Sequence, residues 1–338
     1  MIDIDPTDTT ETTKDGPSTS GQHRAELAIV TVAYHSQAPL ERLAADLALQ
    51  NHWPQRWLVV DNAPQSAPLR LSPRLKALPV ERISGREGAG FGEGCNRGFE
   101  ILAALGWQGW VWLLNPDISL VDPDVIGRLQ GVLASLPPQA LVGTAVLDAE
   151  GGLEASGGWV DPGLAFRRRR VGPTHRAEAA AKPLRLDWLS GCSLALRPTA
   201  HTPPARFDPA LPLYYEDIDL CLRLGAGGAT CLWSAAVTVG HRRGGGSGGD
   251  PARRLERTTT SYWRFLQRHR PAWQRLLRGL RLLSTSLARL PWRPRRSMAV
   301  LGGLARAVAA PIGPVPGVQH VAPADAPGPE PATAPPGQ

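Results

Sequence analysis

The strongest constraint on this chain is an alternation. Three runs of mostly apolar residues, LAIVTVA (27–33), WLVVDN (57–62) and VWLLNPD (111–117), are too continuous for strands with one wet face. Such runs belong to strands buried on both sides, as in a parallel sheet. Between and after them the spacing turns helical. Leu40, Leu43 and Leu47 form a stripe within 39–50, with Pro39 suited to the first helical position. A second helix is expected from Asn96 to Leu105, after a glycine-rich turn, and a third over 121–135. Short strands are expected near 80–83 and over 140–147. Strands alternating with helices of this length predict an α/β fold, a mostly parallel, doubly wound sheet.

The second half is less regular. Residues 153–160 and 188–197 read as strands, and 166–183 between them as a mobile loop. ATCLWS and VTVGH read as two short strands, and two arginine-rich helices follow over about 251–269 and 272–290. Residues 1–24 are polar and acidic with no apolar core, which predicts a disordered tail rather than a signal peptide. The expected division is therefore a tail over 1–24, one domain over 25–250, a basic helical extension over 251–300 and a Pro/Ala-rich disordered tail over 301–338. No stretch of 18 consecutive apolar residues occurs, so no transmembrane helix is expected.

A net charge of +7 raises the question of nucleic acid. The charge is segregated, however. Residues 251–300 hold 13 arginines against the single acid Glu256, a net +12, so the remainder carries −5. An acidic body with no aromatic-basic sheet motif predicts no nucleic-acid partner. Cys95, Cys192, Cys221 and Cys231 form no C-x-x-C pair, which excludes a zinc ribbon or a dithiol redox motif and suits reduced thiols in the cytoplasm.

Carboxylates are placed with more purpose. Ligands of open α/β sheets bind at the carboxyl ends of the strands, and Asp61 and Asp117 each close an apolar run there. LYYEDIDLCLR (213–223) adds Glu216, Asp217 and Asp219 within four positions. A structural reading stands beside a chemical one: acids favour the first turn of a helix, and Asp219 and Arg223 are spaced to pair. Clustered oxygen ligands suit Mg²⁺ or Mn²⁺, which would neutralise a diphosphate. Other nucleotide folds fit poorly. G-x-x-x-x-G-K-[ST] is absent, and GREGAGFGEGCNRG (85–98) misses G-x-G-x-x-G in every register and does not follow the first strand.

Taken in order, AIVTVAYHS, WLVVDNAP, GAGFGEGCNRGFE, WVWLLNPDIS, SGCSLALRP, FDPALPLYYEDIDLCLRL and a later VGH resemble the inverting family-2 glycosyltransferases, in particular the rhamnosyltransferase-like branch. The resemblance covers about 27–270 and implies a GT-A fold, a nucleotide-sugar donor and a divalent ion. It implies that Asp61 recognises the pyrimidine base and that Asp117, closing Asn115-Pro116-Asp117, holds the metal on the diphosphate. His241 then adds a metal or diphosphate contact, and Asp217 is the catalytic base. Asn96 and Asn115 become donor-site candidates, and Glu216 and Trp188 candidates for shaping the acceptor site, with Trp188 equally suited to a core. Gly88 stands where the family commonly has an asparagine, which removes one side-chain contact.

Inverting transfer needs one carboxylate to take the acceptor's proton and a cation for the leaving diphosphate, but no general acid. The expected activity is transfer of a sugar, L-rhamnose from dTDP-rhamnose, to a hydroxyl of a cell-surface glycan or lipid-linked acceptor. Use of another UDP- or GDP-sugar, or a non-catalytic scaffold that binds a nucleotide sugar, remains an alternative. GGGSGG (244–249) reads either as a linker or as a lid. The amphipathic, arginine-rich 276–292 suits an anionic membrane surface or packing on the body, and the former places the enzyme at the inner face of the membrane.

Overall fold

A computed structural model describes residues 24–154, 156–160, 168–242, 250–310 and 312–313. The expected tail over 1–24 lies outside them except for Arg24, and so do the 244–249 glycine run and most of the C-terminal tail.

The first half follows the alternation. Strands β1 (Leu27–Ala33), β2 (Arg56–Asp61), β3 (Val80–Ser84) and β4 (Trp110–Leu114) are interleaved with α1 (Gln37–Ala48), α2 (Pro73–Lys76) and α3 (Phe91–Ala104). Then come β5 (Ile118–Ser119), α4 (Val125–Ala134) and β6 (Leu141–Leu147). The second half contains β7 (Gly157–Val160), β8 (Arg168–Arg170), α5 (Arg176–Ala181), β9 (Leu184–Leu186), β10 (Trp188–Leu189) and β11 (Ser193–Leu196). It ends with α6 (Glu216–Ala226), β12 (Cys231–His241), α7 (Pro251–His269), α8 (Ala272–Arg289) and α9 (Pro294–Ala309).

The main sheet has the order β3-β2-β1-β4-β11-β6-β12-β5, with β9 also on β12. β1, β2, β3 and β4 run parallel, as do β6 and β12, while β11 enters antiparallel between β4 and β6. Strands β10, β7 and β8 form a small second sheet. The central strands are buried on both faces, as their composition demands. Polar atoms inside them are paired: Trp57 Nε1 donates to Thr31 Oγ1 at 3.0 Å, and Trp112 Nε1 to Ser193 Oγ at 3.0 Å. Helix α3 lies close on β1 because Gly94 and Gly98 leave room. A Cβ at either would sit 2.6 or 2.7 Å from the Val32 or Val30 side chain.

Several local expectations change. Helix α1 begins at Gln37, so Pro39 lies within its first turn rather than at its first position. The proline is tolerated there because its amide would have no partner inside the helix. The expected loop over 166–183 contains β8, a 3₁₀ turn at Pro173–His175 and α5. ATCLWS and VTVGH are one strand, β12, with a bulge between Ser234 and Thr238.

The boundary placed at 300/301 falls inside α9, which continues to Ala309. Small residues carry that helix onto α7. A Cβ at Gly303 would lie 2.6 Å from Glu256 O, and Thr260 Oγ1 donates to Gly303 O at 3.1 Å. Helix α7 is joined to the body in turn. Asp219, fully buried in α6, accepts from Arg223 Nε at 2.7 Å, as its spacing predicts, and also from Arg268 Nη1 at 3.0 Å and His269 Nε2 at 2.9 Å. Burial would raise its carboxyl, but the hydrogen bond from His269 and the charges of Arg223 and Arg268 hold it well below the usual range.

Candidate active site

The carboxyl edge of the sheet gathers side chains that are far apart in the chain. β5 pairs antiparallel with the end of β12, so His241 stands opposite Ile118, and Arg242 N donates to Asp117 O at 2.9 Å. This brings His241 Nε2 to 3.3 Å from Asp117 Oδ1. On its other side, His241 Nδ1 lies 2.8 Å from Glu154 Oε2. Glu154 comes back along β6, where its N–H donates to Val146 O at 2.8 Å. The hydrogen bond to Asp117 raises the His241 pKa most, burial opposes it, and Glu154 raises it further.

Asp217 comes from α6. Its Oδ2 accepts from Gly191 N at 3.0 Å and its Oδ1 from Ile218 N at 2.8 Å. Gly191 lies in the turn between β10 and β11, next to Cys192. The Cys192 thiol is pushed up to about 12, chiefly by burial, with Asp217, Glu154 and Asp117 all adding to the rise. Cys192 O accepts from Asn115 N at 3.1 Å, so the Gly191–Cys192 turn links Asp217 to the segment that carries Asp117.

The approach to α6 has unusual backbone. Tyr214 and Tyr215 have φ of 62° and 69°, in the left-handed region that costs a bulky residue of order 1–3 kcal/mol. Helix α7 holds them there. Tyr215 packs on Tyr262 and Phe265, Arg254 lies over the Tyr214 ring, and Arg257 Nη2 donates to Pro212 O at 2.9 Å. The first helix of the basic extension thus forms part of the frame around Asp217.

Four of the expected site residues have side chains engaged or enclosed within the protein. Asp61 is 1% exposed, and its carboxylate accepts from Ala63 N at 3.0 Å, Leu69 N at 2.9 Å and Arg82 Nη2 at 2.9 Å. It braces the loop after β2. Both polar atoms of the Asn96 side chain engage the Phe207 backbone, at 2.9 and 2.8 Å, which fastens α3 to the loop before α6. Trp188 is 4% exposed and belongs to the core, because its pairing with Gly158 in the small sheet turns the indole inward. Glu216 is buried, its Oε2 meets no hydrogen-bond partner among the described residues, and its carboxyl is pushed up to about 8, by burial first and then by Asp217. It is no surface group for an acceptor. Asn115 joins the site through its backbone, its N–H donating to Cys192 O at 3.1 Å.

Sequence reasoning missed Glu154. An acid inside LEASGGWV carries no spacing signal, and its pairing with His241 spans 87 positions. A groove of about 520 Å³ lined by Asn62, Gly85, Arg86, Glu93, Arg97 and Arg206 lies beside α3, and none of Asp117, Glu154, Asp217 or His241 lines it.

Asp117 and His241 can be tested as cation ligands. Their side chains are 19% and 13% exposed and offer one oxygen and one nitrogen. Among the described residues no group of three or more His, Cys, Asp or Glu side chains could hold a metal ion. The pair therefore fits an ion shared with substrate oxygens, the arrangement Mg²⁺ favours when it binds through one or two carboxylates and a phosphate.

No protein-family model matches the chain. It is 28% identical over 285 residues to the N-acetylglucosaminyl-diphospho-decaprenol L-rhamnosyltransferase of Mycobacterium tuberculosis, in two strains, covering 75% of this chain and 88% of the relative. Its fold is similar to GalNAc-T7 crystallised with UDP, GalNAc and Mn²⁺, with a TM-score of 0.53 at 15% identity over 73% of this chain. The match spans 48% of that structure's chain. Fold and sequence agree on the class: the chain has the GT-A fold of glycosyltransferases, and its sequence is similar to that of a rhamnosyltransferase. Within that class its similarity is to the rhamnosyltransferase-like branch of family 2.

Proposed function

We propose that this chain transfers L-rhamnose from dTDP-rhamnose, with inversion, to a hydroxyl of a lipid-linked or cell-surface glycan acceptor. The observation that carries the reading is the Asp117–His241–Glu154 cluster at the carboxyl edge of the sheet, joined through the Gly191–Cys192 turn to Asp217. The sugar and the acceptor class are suggested by the printed activity of the mycobacterial relative.

Each residue has a role in this reading. Asp217 takes the proton of the acceptor hydroxyl as that oxygen attacks C1 of the donor sugar from behind. The C1–O bond breaks, and its electron pair leaves with the diphosphate, which needs no proton. Backbone N–H groups of Gly191 and Ile218 fix both Asp217 oxygens, so the base is oriented before substrate arrives. Asp117 and His241 would hold a divalent ion, Mg²⁺ or Mn²⁺, which would supply charge neutralisation to the leaving diphosphate. The arginines and tyrosines of α7 and the 208–215 loop frame the acceptor side.

The acceptor reading brings in a membrane surface. Among the described residues no helix is long and apolar enough to cross a membrane. Helix α8, however, is inverted for a soluble helix. It buries Gln274 and Ser286, and leaves Trp273, Leu276, Leu277, Leu280, Leu283 and Leu287 exposed. Arg275, Arg278, Arg281 and Arg289 lie among them. An apolar face set among arginines suits an anionic bilayer, and supports peripheral attachment at the cytoplasmic face in cell-envelope polysaccharide synthesis.

The deciding experiment supplies the full chain with Mn²⁺, dTDP-rhamnose and a lipid-linked N-acetylglucosaminyl diphosphate, with UDP- and GDP-sugars as competitors. The expected product has its anomeric configuration inverted relative to the donor. Retention of configuration, or preferential turnover of a UDP- or GDP-sugar, would overturn the proposal.

A further inference from the structure

Glu154 has no part in the chemistry assigned so far, yet it lies against a group that does. Its side chain is 10% exposed and its Oε2 lies 2.8 Å from His241 Nδ1, while the opposite ring nitrogen lies 3.3 Å from Asp117 Oδ1. Its main chain is fixed on both sides. The Glu154 N–H is held by Val146 O, Ser156 Oγ donates to Glu154 O at 3.2 Å, and the same hydroxyl accepts from Val146 N at 3.0 Å. The carboxylate is thus presented to the imidazole by the central strand β6, which pairs with the strand that carries His241.

A neutral imidazole has one N–H and one lone pair, and the partner of one nitrogen decides what the other can do. A carboxylate at Nδ1 accepts a proton and cannot donate one. The same holds for Asp117 at Nε2, so a ring that carries one proton keeps it on the shorter contact, 2.8 Å to Glu154 against 3.3 Å to Asp117, and this Nδ1–H tautomer leaves the Nε2 lone pair on the side of Asp117. We propose that Glu154 is a positioning residue that fixes His241 in this tautomer, so that Nε2 and Asp117 together face a divalent cation. The proposal rests on the cation reading of the site and adds the residue that prepares it. Hydrogen-bonded carboxylates behind a ligating histidine typically change metal affinity by about 10–100-fold when removed.

The test uses the full chain with ¹⁵N-labelled histidine, Mn²⁺ alone as the probe, and Glu154→Gln and Glu154→Leu as variants. At a pH where the ring carries one proton, wild-type His241 should give the Nδ1–H pattern, and its signals should broaden on titration with Mn²⁺. Glu154→Gln keeps a carbonyl oxygen for Nδ1–H and should retain both the tautomer and an Mn²⁺ affinity within about threefold. Glu154→Leu removes the acceptor. It should move the ring toward Nε2–H and lower Mn²⁺ affinity about 10–100-fold. A plain packing role would leave the tautomer unchanged in both variants, and that result overturns the proposal. So does an Nε2–H ring in the wild type, a measurement that needs no variant to fold. Wild-type His241 signals that ignore Mn²⁺ also overturn it. Failure of sugar transfer would overturn the proposed activity while leaving these ring signals as they are, so the two failures are distinguishable.

Discussion

Gly191 donates its backbone N–H to Asp217 Oδ2 across 3.0 Å, although 26 positions separate them. A side chain could not easily stand at 191. A Cβ there would lie 2.8 Å from Phe91 Cε1 and 3.5 Å from Asp217 Cβ. The turn between β10 and β11, the start of α3 and the start of α6 therefore meet at one point, and glycine permits the approach.

Asp217→Asn should lower kcat by about 10²–10⁴-fold while leaving donor affinity nearly unchanged. The amide keeps the shape but takes no proton. It can accept only one of the two backbone N–H bonds, so stability should also fall by about 1 kcal/mol. Steady-state kinetics beside calorimetric donor titration would separate the effects. A variant that keeps more than about a tenth of wild-type kcat would show that another group is the base.

Asp117→Ala should weaken donor binding mainly when a divalent ion is present. The carboxylate is one of two protein ligands offered to that ion, so its loss matters little if no ion is bound. Titrations of the donor in Mg²⁺ and in chelator should differ strongly for the wild type and little for the variant. Equal affinities for the wild type in both conditions would count against metal-assisted binding.

Glu216 should make the protein less stable as pH rises. Its folded-state pKa is raised to about 8 by burial and by Asp217, whereas an unfolded glutamate titrates near about 4.3. Between those values the unfolded chain has lost the proton and the folded chain keeps it. The stabilising contribution is therefore full below about 4.3 and is lost as pH climbs toward about 8. Glu216→Gln removes this titration, so denaturant unfolding at pH 5 and pH 8 should show a smaller decline than in the wild type. An identical decline would mean that the carboxyl is ionised in the folded protein.

Leu276→Ser, Leu280→Ser and Leu283→Ser combined should reduce sedimentation with anionic vesicles while sparing turnover of a short water-soluble acceptor. These side chains are 62%, 52% and 43% exposed, so the fold loses little. Each leucine buried in a bilayer is worth about 1.5–3 kcal/mol and each nearby arginine about 1 kcal/mol. Point changes are preferable to truncation, because removing the chain after 271 would also strip α9 from α7. Vesicle binding equal to that of the wild type would assign α8 to some other contact.

The sequence by itself determined the alternation and most of its elements. Doubly apolar runs can be buried only between layers, and amphipathic stripes can lie only on them, so β1 to β4, α1, α3, α4 and β6 were legible from local composition. The Asp219–Arg223 pair was legible too, since four positions on a helix fix the distance. Strand ends pointed to Asp117 and equally to Asp61, the acidic cluster pointed to Asp217, and His241 came only from the resemblance, which also supplied the roles.

Only the tertiary structure decided which polar groups face a ligand. Asp61 and Asn96 are the residue types a donor site would use, but Arg82 and the Phe207 backbone already engage them. Glu154 had no signal because its partner arrives through strand pairing, where a contact depends on register between distant segments rather than on neighbours in the chain. Helix α8 is the same case reversed. Its stripe of leucines was visible in the sequence, but a stripe states only that a face exists. Contact with α9 and α7 chose the other face for burial, and left the leucines outward beside the arginines.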